Sequence, residues 1–214
     1  ATTIRVLAKG EAMGEADAEE LALMQDAVRQ SMEDGAFGVA SALIYPPGNF
    51  ASTRELIEIN KAAAPYGGVY ITHLRSEADY FLEAIDEAID IGTTAGVPIE
   101  IYHLKAGGRR NWSKASQAVA KIDSARAAGV DIQANMYPYT AGGTGLTACF
   151  PPWASADGKL FDNLADSDAR MRIRAEIENQ TTEWENLCTL STPEGVLLLG
   201  FNKPDNQRYS GRYL

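Results

Sequence analysis

The stretch VYITHLRSE, Val69 to Glu77, ends an apolar run on a histidine, and a second run, IEIYHLK from Ile99 to Lys105, ends in the same way. These are the chain's two histidines, His73 and His103, and they stand 30 residues apart. Two more apolar runs flank them, GAFGVASALIY (Gly35 to Tyr45) and DIQANMYPY (Asp131 to Tyr139). Helix-period segments lie between the runs. Leu21, Met24, Val28 and Met32 share one helical face. Phe81, Ile85 and Ile89 form a second stripe, ended by Gly96 with Pro98 beyond it. Ala115, Val119 and Ile122 form a third, capped by Asn111 or Ser113 and stopped at Gly129. Nearly continuous apolar strands alternating with helices predict an α/β fold, with a parallel sheet covered on both faces.

Spacing narrows the architecture. Strand starts near Ala36, Val69, Ile99 and Asp131 give repeats of 33, 30 and 32 residues; a closed barrel of eight strand–helix units averages about 31 per unit. A doubly wound sheet gives similar spacings, so the period leaves both open. If the fold is a barrel, the four runs and the fifth, GVLLLGF, make about half of one. Residues 1–150 then form the strand–helix segment. Residues 151–195, which follow a Gly/Pro-rich stretch, form a helical insertion, and 196–214 begin a further strand and helix.

Composition excludes several functions. A net charge of −10 with no basic block argues against nucleic acid. No apolar run approaches the roughly 20 residues that cross a bilayer, and ATTIRVLAKG has no signal-peptide core, so no membrane association is expected. Cys149 and Cys188 read as free thiols in a reducing, cytoplasmic setting.

Chemistry is expected at the strand ends, because the C-terminal ends of barrel strands carry the active site. His73 and His103 would occupy equivalent positions on neighbouring strands, where two neutral imidazoles can converge on one zinc ion. A polar layer of two hydrogen-bonded histidines is the plainer alternative.

The ordered set GAFGVASALIYPPGNFASTRELIEI, GGVYITHLRSE, IEIYHLKAGG, DIQANMYPYTAGGTGL and FPPWA resembles the D-aminoacylase (N-acyl-D-amino-acid deacylase) branch of the amidohydrolases. That resemblance implies a partial (β/α)8 TIM-like barrel, about strands four to seven or eight, with a helical insertion after the fourth strand of this chain. His73 and His103 match the family's metal histidines. Lys105, Tyr137 and Tyr45 match groups that hold the substrate carboxylate. The implied reaction is zinc-dependent hydrolysis of N-acyl-D-amino acids, with the general-base aspartate, the H-x-H pair and a bridging cysteine or acid all outside this sequence. Arg75 and Glu77 are further candidates, equally well read as an ion pair with each other. Gly142, Gly143 and Gly145 stand where the family tends to carry serines, and Asn135 where an acid is common. The chain, which opens on Ala1, is therefore expected to be an excised or incomplete piece of a longer deacylase, to bind metal weakly on two histidines, to lack turnover, and to form homodimers through open sheet edges. The alternatives are a cyclic-amide amidohydrolase, or a non-catalytic fragment binding phosphate at KAGGRRN or AGGTGL.

Overall fold

The computed structural model describes residues 1–179 and 184–214. Its centre is a parallel sheet of β1 (Gly38–Ala42), β2 (Val69–His73), β3 (Ile99–Ile101) and β4 (Ile132–Ala134), in the order β1-β2-β3-β4. Each strand pairs with its successor and the order never reverses, so the sheet has no switch point. A doubly wound sheet requires such a reversal; a sequential order is that of an arc of a strand–helix barrel.

Helices α1 (Thr2–Lys9), α2 (Ala18–Glu33), α3 (Thr53–Ala63), α4 (Phe81–Ala95) and α5 (Lys114–Ala127) pack on one another in chain order. Asp17 starts α2 by accepting the Glu19 and Glu20 amides while the Glu20 carboxylate accepts the Asp17 amide, a reciprocal cap. Met24, Val28 and Met32 of that helix are buried and Leu21 is half-buried. In α4 the buried side is Phe81, Ala84, Ile85, Ala88, Ile91 and Ala95, with Ile89 only half-buried. Alternating steps of three and four hold the 3.6-residue period, from which a strict step of four drifts away. In α5 the core contacts are Ala118 and Ile122; Ala115 is exposed and Val119 is 52% exposed, so of the expected third stripe only Ile122 reaches the core. Asn111 caps no helix: it is buried, donating to Gly107 O and Asp79 Oδ1.

The helices cover one sheet face, where Val39, Tyr70, Ile99, Ile101 and Ile132 are buried. The other face, carrying Ala40, Ile71, Glu100 and Gln133, is half-buried or exposed. The expectation of two covered faces fails for this reason: an arc turns its second face towards an axis, not towards a second helical layer.

Residues 151–195 carry α6 (Leu160–Ala165), α7 (Ser167–Glu178) and α8 (Leu187–Ser191). The run Gly195 to Phe201 joins no strand of the sheet. Its main chain is satisfied antiparallel by the last residues, Leu198 N–H to Arg212 O and Gly211 N–H to Leu198 O, both 2.8 Å, around a single Leu197–Tyr213 bridge. The expected further strand and helix at 196–214 are thus replaced by a short folded-back loop with one 3-10 turn, Pro204–Tyr209.

Candidate metal centre

Adjacent parallel strands bring the two histidines together. His73 closes β2 and His103 lies just past β3, with ring centroids 4.6 Å apart at an interplanar angle of 80°. His103 has a left-handed backbone, φ 38°, which a non-glycine residue keeps only when its surroundings hold it. Asn135, following β4, does so: its Oδ1 accepts the His103 amide at 2.7 Å, while its Nδ2 donates to Glu100 Oε1 at 3.0 Å. Leu43 N–H and the Thr72 hydroxyl both donate to His73 O, fixing the end of β2.

Glu77 stands between the imidazoles. Its carboxylate lies 3.5 Å from His73 Nε2 and 3.0 Å from His103 Nδ1, and it accepts from Lys105 Nζ at 2.6 Å. Its main chain is gripped twice, since its N–H donates to the Glu185 carboxylate at 3.1 Å and its carbonyl accepts from Gly107 N–H at 2.6 Å. Lys105 Nζ also meets His103 Nδ1 at 2.9 Å and His103 O at 3.2 Å, and lies 5.7 Å from the Tyr137 ring centre. The expected Arg75–Glu77 pair does not form. Arg75 instead makes a forked pair with Glu87 and donates to Asn49 O and Ala51 O, because β2 sends Arg75 towards the start of α3 and Glu77 towards the histidines.

Tyr45 has its ring 5.5 Å from His73 and its hydroxyl 2.7 Å from Thr144 Oγ1; the Tyr137 ring is 6.4 Å from His103. Tyr102, which sequence reasoning passed over, stacks on His103 at 5.5 Å; its place immediately before the histidine was the available signal. A cavity of about 480 Å³ opens beside Tyr45, walled by Pro46, Phe150, Pro152, Phe161 and Trp184.

Burial sets the protonation states. It pushes His73 down to about 4, with the charges of His103 and Lys105 acting in the same sense. It also lowers His103, again with Lys105 beside it. Burial pushes Glu77 up to about 7, against the opposing pull of Lys105. Two imidazoles kept neutral and a carboxylate offer nitrogen and oxygen lone pairs to one point. His73 Nε2 is buried without a hydrogen-bond partner. Among the described residues, His73, Glu77 and His103 are the one group of three such donors lying within 4.8 Å of one another. This donor set fits zinc.

The likenesses to known proteins agree with the geometry. No family model matches the chain. It is 33% identical to the N-acyl-D-glutamate deacylase of Alcaligenes xylosoxydans xylosoxydans over 66% of its length and 29% of that protein's. It is 29% identical to a D-aminoacylase of the same organism over 97% of its length and 43% of that protein's. A crystal structure of D-aminoacylase, described as defining a novel subset of amidohydrolases, superposes with a TM-score of 0.64 at 35% identity, covering 66% of this chain and 30% of that one. A zinc- and phosphonate-bound N-acyl-D-glutamate deacylase from Bordetella bronchiseptica gives 0.62 at 32%, covering 64% and 29%.

Over the matched stretch, the chain belongs to the D-aminoacylase family. It spans 43% of the length of the D-aminoacylase and 29% of that of the N-acyl-D-glutamate deacylase. One solved family member is described as having a binuclear metal center with one-metal activation. What this D-aminoacylase-family segment brings together is a His–Glu–His donor group, a lysine ammonium and two phenols at the ends of β1 to β4.

Proposed function

We propose that the chain is a segment of a zinc-dependent amidohydrolase that cleaves N-acyl-D-amino acids into a carboxylate and a free D-amino acid. The observation that carries this reading is the convergence of His73 and His103 on neighbouring strand ends, in a chain 33% identical to acidic D-acyl deacylases. His73 and His103 are the metal ligands, and zinc there would polarise the acyl carbonyl and acidify a bound water. Lys105, Tyr137 and Tyr45 hold the substrate carboxylate through charge-assisted hydrogen bonds, and the cavity beside Tyr45 takes an apolar part of the substrate. We assign the general base to an aspartate outside these 214 residues. The relatives are named for acyclic D-acyl substrates, which favours that class over cyclic amides.

The phosphate reading loses its support at KAGGRRN. The Gly107 amide is spent on Glu77 O, and Gly108 packs under Leu190 of α8, whose Cδ2 would lie 2.7 Å from a Cβ there. We place the protein in the cytoplasm, which suits two free thiols; no described helix is long and apolar enough to cross a membrane. The test is hydrolysis of N-acetyl-D-amino acids by the protein expressed from its complete reading frame with zinc. Activity on the D but not the L series, abolished in His73→Ala and His103→Ala, is expected. No hydrolysis of any N-acyl amino acid by a folded, zinc-loaded protein overturns the reading.

A further inference from the structure

We propose that Cys149 and Cys188 are a redox modification site, which a hydroperoxide converts into a single disulfide within the chain. The inference is independent of the metal reading. It assigns a chemistry to two side chains that the deacylase reading leaves unused.

The two thiols come from positions 39 residues apart and are the chain's only cysteines, so an internal bridge has one possible pairing. Cys149 closes the 3-10 turn Leu146–Cys149, and Cys188 stands in the first turn of α8. The turn and the helix pack on each other, and the two thiols are in hydrogen-bond contact. Their exposures differ: Cys149 is 7% exposed and Cys188 is half-buried. Burial, with Cys188 beside it, pushes Cys149 up to about 11 and keeps it a protonated thiol. An oxidant therefore meets Cys188 first. The Cys188 thiolate attacks one peroxide oxygen, and an S–O bond forms as the O–O bond breaks. The other oxygen leaves with the proton that Cys188 gave up, as an alcohol, or as water from hydrogen peroxide. The Cys149 sulfur then attacks the Cys188 sulfur, the S–O bond breaks, and hydroxide departs as water with the Cys149 proton. Two thiols are oxidised and one hydroperoxide is reduced. Ala154, Ala156 and Ile173 are the buried apolar side chains among the described residues of 151–195, and none joins the hydrophobic cluster that unites β1 to β4 with their helices. Thr147, Ala148 and Phe150 beside Cys149 wall the cavity next to Tyr45, while Thr189 and Leu190 beside Cys188 wall a second one of about 420 Å³. A disulfide fastens these two walls together, and closing a loop this long stabilises a segment with so small a core of its own.

In the experiment the chain itself is treated with hydrogen peroxide and quenched with catalase. Thiols are then titrated under denaturing conditions, and peptides are mapped by mass spectrometry without reduction. Both thiols are expected to disappear together, with one linked peptide pair carrying Cys149 and Cys188 and no covalent dimer; dithiothreitol should restore both. The oxidised chain should melt about 5 °C or more above the reduced one. In Cys149→Ser, Cys188 should stop at a sulfenic acid that dimedone traps. In Cys188→Ser, Cys149 should be oxidised at least about tenfold more slowly than Cys188 is in Cys149→Ser. Cys188 driven to sulfinic or sulfonic acid while Cys149 stays a thiol, or disulfides formed only between molecules, overturns the inference. So does survival of both thiols at a peroxide excess that oxidises free cysteine. A bridged chain that melts no higher than the reduced one overturns the fastening of the two walls. Should either variant fail to fold, the peptide map of the unaltered chain decides by the linked pair or its absence.

Discussion

At the scale of single residues, the site is held together by one amide side chain whose two ends do opposite jobs. Asn135 accepts the His103 amide and donates to Glu100, which a carboxamide does with its two ends and a carboxylate at neutral pH cannot. Asn135→Asp keeps the acceptor but sets a second carboxylate against Glu100. It is expected to cost about 1 kcal/mol, read as a lower Tm, and to weaken zinc binding by releasing His103 from its left-handed backbone. Asn135→Asp with Glu100→Gln restores the donor–acceptor pairing and should recover most of the loss; a double variant no better than the single one rules the account out. The histidines were legible because their 30-residue separation equals one repeat. Glu77 was legible only as a nearby charge. Its partner is decided by how the chain turns after β2, and a loop's course has no periodicity to read. The same is true of Asn135, whose departure from an acidic residue was visible while its pairing with Glu100 across the β3–β4 ladder was not.

At the scale of elements, β1 and β2 are joined by features that sequence periodicity does not encode. Gly38 has φ 154°, and a Cβ there would stand 2.0 Å from Val69 O. Gly38→Ala must open the start of the β1–β2 ladder, and a loss of about 3 kcal/mol or more is expected in chemical denaturation. A loss under about 1 kcal/mol would mean that the strands tolerate the shift. Further along, the Tyr70 hydroxyl is buried 3.0 Å from Ser41 Oγ, which donates in turn to Thr72 Oγ1. Burial pushes this phenol up to about 12, above its ordinary value near 10. Between those values the unfolded chain releases a proton that the folded chain keeps. The contribution is therefore complete below pH 10 and lost as pH rises through about 12, a change on the order of 3 kcal/mol. Stability followed from pH 9 to 12 should fall more steeply in the unaltered chain than in Tyr70→Phe, and parallel slopes would exclude Tyr70 as the cause. Strand and helix positions were readable from apolar runs and glycine stops, as Gly96 and Gly129 show. Helix faces were read less well, since Val119 of α5 lies outside the core: weak amphipathicity in an alanine-rich helix leaves the buried side to be chosen by tertiary packing.

At the scale of the whole molecule, the sheet's two edges differ. The outer edge of β1 is met by Ala1, whose amino group donates to Ala40 O. The outer edge of β4 is flanked by the exposed Gln133 and Ala134 and, beyond them, by the exposed apolar Met136 and Tyr139. Asn135 spends both main-chain groups on the β3 side, its N–H on Ile101 O and its carbonyl on Leu104 N–H. By the alternation of a parallel ladder, Ala134 turns its N–H outward. An edge of this kind pairs with another edge, and the chain by itself is expected to form dimers through β4, with the dimer fraction in light scattering rising with protein concentration. The net charge of −10 opposes association, so added salt should raise that fraction by screening the repulsion. Ala134→Pro removes the outward donor without touching the bonds to β3. It should leave a monomer of nearly unchanged helix content. A dimer that persists in Ala134→Pro places the interface elsewhere, and a monodisperse monomer of the unaltered chain at every concentration and salt level shows that the exposed edge of β4 is too short to pair on its own.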